Sequence, residues 1–124
     1  MSGVKFLLDT NYILGLLKSQ PVVLEELASR QIGIGECAYS AITRIELLGF
    51  PEISREEESL IRQKLERLTY LPLSRAIEDV TINLRQTRKI KLPDAVIAAT
   101  ALCAGIELLT LDKQLQSLAL KTES

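Results

Sequence analysis

The chain has 124 residues with 16 acidic and 15 basic side chains, a net charge of −1 and no histidine. That length makes one domain able to bury roughly two-thirds of the surface its unfolded chain exposes, so neither disulfides nor a structural metal are needed to hold it together. The missing histidine excludes the commonest general base, most zinc sites and every Ser-His or Cys-His nucleophile pair.

Other features narrow the class further. Cys37 and Cys103 lack C-x-x-C spacing and lie in apolar segments, which reads as two buried free thiols of a reducing compartment. The start, Met-Ser-Gly-Val-Lys, has no signal-peptide pattern, so a cytoplasmic protein is expected. The longest apolar stretch, Ala95 to Leu111, is interrupted by Gly105 and Glu107 and is too short to span a bilayer. Nine of the fifteen Lys and Arg residues fall between Arg55 and Lys91, with a cluster at Arg85, Arg88, Lys89 and Lys91. The cluster reads either as a solvated helix face or as a phosphate-contacting rim. An apolar content of 47% hints that a partner covers part of the surface.

Along the chain, Val4 to Leu8 reads as a buried strand ending at Asp9. A helix over Thr10 to Leu17 follows, with Tyr12, Ile13, Leu16 and Leu17 on one face. Pro21 suits the first turn of a second helix reaching about Gln31; its Leu24 and Leu27 extend the apolar stripe, which reads as core with an outer edge that could form a partner groove. Ile34 to Tyr39 reads as a strand. Ser40 is placed to cap a helix with Ile42, Ile45 and Leu47 or Leu48 inward and Glu46 toward one edge.

Ser54-Arg55-Glu56-Glu57 is a capping box opening a helix striped by Leu60, Ile61, Leu65 and Leu68. A brief strand, Thr69 to Leu71, precedes a helix from Ser74 to about Lys89. Pro93 suits the first residue of the next helix, which places Asp94 in its first turn and lets small side chains from Ala95 to Ala101 approach a sheet closely. Gly105 is its stop, Glu107 to Leu109 a last strand, and Thr110-Leu111-Asp112 the entry to a short terminal helix. This alternation predicts an α/β fold, a single domain over residues 1–124 with a parallel sheet of about four to five strands and helices on both faces.

In such sheets ligands bind where strands end. Asp9, Asp94 and Asp112 all stand at element boundaries, and Glu46 can join them from its helix. Of the four aspartates only Asp79 lies inside a helix. Each acid has a plain structural reading: Asp9 and Asp112 as caps, Asp94 as helix electrostatics, Glu46 as an ion pair with Arg44. Together they predict a carboxylate-only site, which prefers a hard cation, Mg2+ or Mn2+, and phosphodiester hydrolysis as the reaction. Thr110 can orient a carboxylate or water, and Asn11 a phosphate or a neighbouring acid. A phospho-acceptor receiver domain would need an acidic pair by the first strand and an Asp after a middle strand, and neither is present.

The segments Leu8-Asp9-Thr10-Asn11, the Glu46 helix, Leu92-Pro93-Asp94-Ala95 running on to Ala101, and Leu109-Thr110-Leu111-Asp112 resemble the PIN-domain nucleases, especially the small VapC-type toxins. The resemblance spans essentially the whole chain, and Pro93 to Ala101 is its most specific piece. It implies a Mg2+- or Mn2+-dependent single-strand endoribonuclease acting on RNA, with Asp9 and Asp94 as direct metal ligands and Glu46 and Asp112 as ligands or water-holders. It also implies a homodimer neutralised by a cognate antitoxin protein. The chain departs from many relatives in having Gln114-Leu115-Gln116 where a further acid is common. The competing reading is a degenerate member that binds without cutting.

Overall fold

The computed structural model describes residues 3–120. Four short parallel strands, β1 (Phe6–Leu8), β2 (Cys37–Ser40), β3 (Thr69–Leu71) and β4 (Glu107–Leu109), form one sheet in the order β3-β2-β1-β4. The sheet grows outward from β1 in both directions, so β1 is where the strand order reverses. Its register sets Leu7 beside Ala38 on one side and Leu8 beside Leu109 on the other.

Alternation along these strands sorts the core into two layers. Leu8, Cys37, Tyr39 and Leu109 face one way, toward α1 (Thr10–Leu17), α2 (Pro21–Ser29) and α4 (Arg55–Leu65). Leu7, Ala38 and Leu108 face the other, toward α5 (Arg75–Thr87), α6 (Leu92–Ala104) and α7 (Lys113–Leu120). Helix α3 (Ala41–Leu48) lies at the end of β2, against α1 and α6. Along α6 every residue from Ala95 to Ala101 is buried, as the small side chains allow. Gly105 ends that helix in the left-handed conformation, φ 68°.

Several expectations are corrected. Ile34 to Glu36 is a 3-10 turn rather than strand, because the Glu36 carboxylate takes the Gly33 N–H at 3.0 Å and closes the chain on itself. Ile45 is 62% exposed: α3 buries its Thr43 and Leu47 side instead, as its hydroxyl-lined face turns inward. Leu60 is exposed while Ile61 and Leu65 carry the α4 stripe, and Leu24 of α2 is exposed while Leu27 is buried. Cys103 is exposed; only Cys37 is buried. Helix α6 begins at Leu92, with Pro93 in its second position. Among the described residues no helix is long and apolar enough to cross a membrane.

Candidate metal centre

The site is built on the C-terminal ends of β1 and β4, which lie side by side. Asp9 follows β1, and its N–H donates to the Leu109 carbonyl at 3.2 Å. Its Oδ1 accepts the Tyr12 N–H at 2.8 Å, capping α1, and its Oδ2 accepts the Thr110 hydroxyl in a short hydrogen bond. The residue is 5% exposed. Burial pushes its carboxyl above the ordinary 3.8; the hydrogen bonds from Thr110 and Tyr12 oppose that push, and the charges of Asp94 and Asp112 reinforce it.

Asp112 follows one turn beyond β4. Its Oδ1 accepts from the backbone N–H groups of Gln114 and Leu115, at 2.9 and 3.2 Å, which caps α7. Its own N–H donates to Thr110 Oγ1 at 3.0 Å. Thr110 therefore ties the two aspartates together. Asp94 lies in the first turn of α6, half-buried, and its carboxyl is also raised, first by burial, then by the charges of Asp112 and Glu46, with Lys91 opposing. Glu46 reaches in from α3 and accepts the Thr10 hydroxyl at 2.6 Å instead of pairing with Arg44.

Two surface hollows meet at Asp112. One is lined by Arg88, Lys89, Lys91, Asp94, Asp112 and Gln114 among others. The second holds Asp9, Asn11, Lys18, Gln20, Thr110 and Asp112. Arg88 and Lys89 thus reach the acidic cleft, whereas Arg85, exposed on α5, is not part of its lining. Asp79 stays exposed on α5 and lines neither hollow.

The model of the PIN domain matches residues 6–121. The chain belongs to the PIN-domain family. No curated protein sequence matches it significantly. Among solved structures it is similar to a chain of a toxin–antitoxin complex from Klebsiella pneumoniae, with 29% identity over 89% of this chain and 88% of that one and a TM-score of 0.76. FitAcB from Neisseria gonorrhoeae is 26% identical over 92% of both chains, with a TM-score of 0.72. VapBC2 from Rickettsia felis, bound to a promoter DNA fragment, shares the fold at 19% identity, with a TM-score of 0.74 over 93% of each chain.

In this PIN domain the donors at the site are oxygens throughout, which suits a hard divalent cation. The repulsion between the buried Asp9 carboxylate and the half-buried Asp94 is what such an ion relieves. Among the described residues no three acidic or cysteine side chains lie close enough to enclose an ion by themselves. That spacing still fits magnesium, which keeps several of its waters and takes only one or two carboxylates directly.

Thr10 was not distinguishable by sequence motif alone. It lies between the two residues of Asp9-Thr10-Asn11 that attract notice, yet its hydroxyl contacts both Glu46 and Thr43. The available signal is the Ser40-x-x-Thr43-x-x-Glu46 spacing, which puts three polar groups along one side of α3. Lys18 and Gln20, on the rim of the second hollow, carry no comparable signal, whereas Lys91, on the rim of the first, belongs to the basic cluster legible in the sequence.

Proposed function

We propose that this PIN domain is a Mg2+- or Mn2+-dependent endoribonuclease and the toxin of a toxin–antitoxin pair. The observation that carries the proposal is the gathering of Asp9, Asp94 and Asp112 at the open end of the sheet, with Glu46 beside them, where burial and like charge make an unneutralised state costly. Asp9 and Asp94 are the ligands, with Asp112 and Glu46 holding the ion directly or through water. When bound, such an ion acidifies water and neutralises charge developing on the scissile phosphate.

The chain's own residues do the remaining work. Thr110 holds Asp9 and, through its contact with the Asp112 N–H, keeps the β4 turn in register with β1. Arg88 and Lys89 supply positive charge along the cleft for the RNA backbone, with Lys91 beside Asp94. Asn11, exposed beside Asp9, presents an amide to a phosphate oxygen. The partner is a small antitoxin protein, supported by structural relatives that come from toxin–antitoxin complexes. A homodimer in the cytoplasm completes the reading.

The spacing of the carboxylates supports a second reading, a domain that binds RNA or a partner without cutting. Cleavage of a mixed pool of structured and single-stranded RNAs by partner-free protein, in Mg2+, Mn2+ or EDTA, separates the two. Metal-dependent cutting that disappears in Asp94→Asn supports the nuclease; uncut RNA under all conditions favours the binding module.

A further inference from the structure

Three of the four acids around the cleft stand at helix N-termini: Asp9 and Asp112 accept backbone N–H groups, and Asp94 lies in the first turn of α6. Glu46 does not: it lies in the second half of α3. What fixes it is a hydroxyl. Its Oε1 accepts the Thr10 Oγ1–H at 2.6 Å. Thr10 has a single hydroxyl proton, so toward Thr43 Oγ1, at 3.0 Å, it can only accept. Thr43 must then donate its own proton to Thr10, and Ser40 donates to Thr43 at 3.2 Å. Ser40 Oγ in turn accepts the Thr43 backbone N–H at 3.2 Å.

Every direction in this chain is therefore determined. It runs from the Thr43 N–H through Ser40, Thr43 and Thr10 to the Glu46 carboxylate, with each hydroxyl polarising the next. Ser40 and Thr43 are fully buried, so solvent does not compete for their protons. Thr10 also begins the helix that Asp9 caps. One turn of helix thus holds Asp9 by the Tyr12 amide and Glu46 by the Thr10 side chain.

We propose that Thr10 is the positioning residue for Glu46, and that the Ser40–Thr43–Thr10 hydroxyl relay holds this carboxylate at the cleft in the arrangement that receives a divalent cation. The proposal rests on the metal-site reading above. Without the relay, Glu46 is a long, exposed side chain that must be ordered at the moment of binding.

The test is Mn2+ titration of the metal-free chain, without RNA, followed by the electron paramagnetic resonance signal of free Mn2+, with thermal unfolding in EDTA alongside. Thr10→Val keeps the shape and removes the hydroxyl; it and Glu46→Gln should each weaken Mn2+ affinity by about tenfold, the usual scale for removing a partner of a ligand. Thr10→Ser should restore it. The double variant should be no weaker than Glu46→Gln alone, because both remove the same contribution. Wild-type affinity in Thr10→Val beside a weakened Glu46→Gln overturns the relay and leaves the metal site standing. Wild-type affinity in both Glu46→Gln and Asp94→Asn overturns the metal site and the relay with it. If Thr10→Val does not fold, Thr43→Val cuts the relay one link back: weaker binding supports the proposal and unchanged binding overturns it.

Discussion

Asp9 does two jobs, and two substitutions separate them. As a cap it accepts the Tyr12 N–H, and as a buried carboxylate it carries charge that the fold opposes. Asn caps a helix about as well as Asp, so Asp9→Asn keeps the bond to Tyr12 and loses the charge and the hydroxyl bond from Thr110. Its amide N–H groups then face Thr110, whose partly exposed hydroxyl can turn its proton to water. Loss of a charge-assisted bond and relief of a buried charge offset each other, so in EDTA the variant should lie within about 1 kcal/mol of wild type.

Asp9→Ala loses the cap and strands the Tyr12 N–H, at a cost of about 1–2 kcal/mol relative to Asn. At roughly 4 °C per kcal/mol for a chain of this size, that is about 4–8 °C in Tm. Calorimetry in EDTA reads this difference. The same scans with Mg2+ read the other role, since an ion at a hundred times its Kd adds about 2.7 kcal/mol to wild type. Both variants should lose that gain. Equal Tm values for Asn and Ala would refute the capping argument, and an undiminished Mg2+ shift in Asp9→Asn would remove Asp9 from the metal site.

Asp9 and Asp94 both ionise in the fold at a pH above the 3.8 of the unfolded chain, so in that window the unfolded state binds fewer protons and stability falls as pH rises. In EDTA, chemical denaturation should therefore show these two groups favouring the fold more at pH 4 than at pH 7, and Asp94→Asn should flatten the slope; an unchanged slope would refute it. Gly105→Ala should cost about 1 kcal/mol by urea titration from its positive φ alone, because an added Cβ meets nothing within 4 Å. Arg88→Glu and Lys89→Glu should each lower the slope of log K against log salt for single-stranded RNA by about 0.7, while Arg85→Glu, outside the cleft lining, should change it less. An equal effect at Arg85 would place RNA along α5 rather than in the cleft.

Much of this was legible in the order of residues. Strand ends announced by Asp9 and Thr110, the capping box at Ser54 and Glu57, and the small-residue run from Ala95 to Ala101 are local signals, and each is where the pattern put it. What escaped are choices made by tertiary contact. Ile45 and Leu60 fit an apolar stripe as well as their neighbours do; which residue turns inward is decided by whether Thr43 has a hydroxyl partner and by how Ile61 meets the sheet. Glu36 took the Gly33 amide and shortened a strand whose apolar pattern continued. Cys103 sits in an apolar segment, but on the outer side of α6.

The architecture also explains how a fold tolerates four acids around one cleft. Asp9 caps α1, Asp112 caps α7 and Asp94 occupies the first turn of α6, so three helices direct the positive ends of their dipoles toward one cleft. Each such placement favours a negative charge by about 0.3–1 kcal/mol at an exposed position, enough to offset part of the repulsion before any cation binds. Glu46 lies outside this scheme because α3 runs past the cleft rather than starting at it. A side-chain hydroxyl takes the place of the missing backbone amides, and it comes from Thr10, the residue next to Asp9. The acid that no backbone amide supports is therefore tied to the helix that Asp9 caps, and a displacement of α1 must move both.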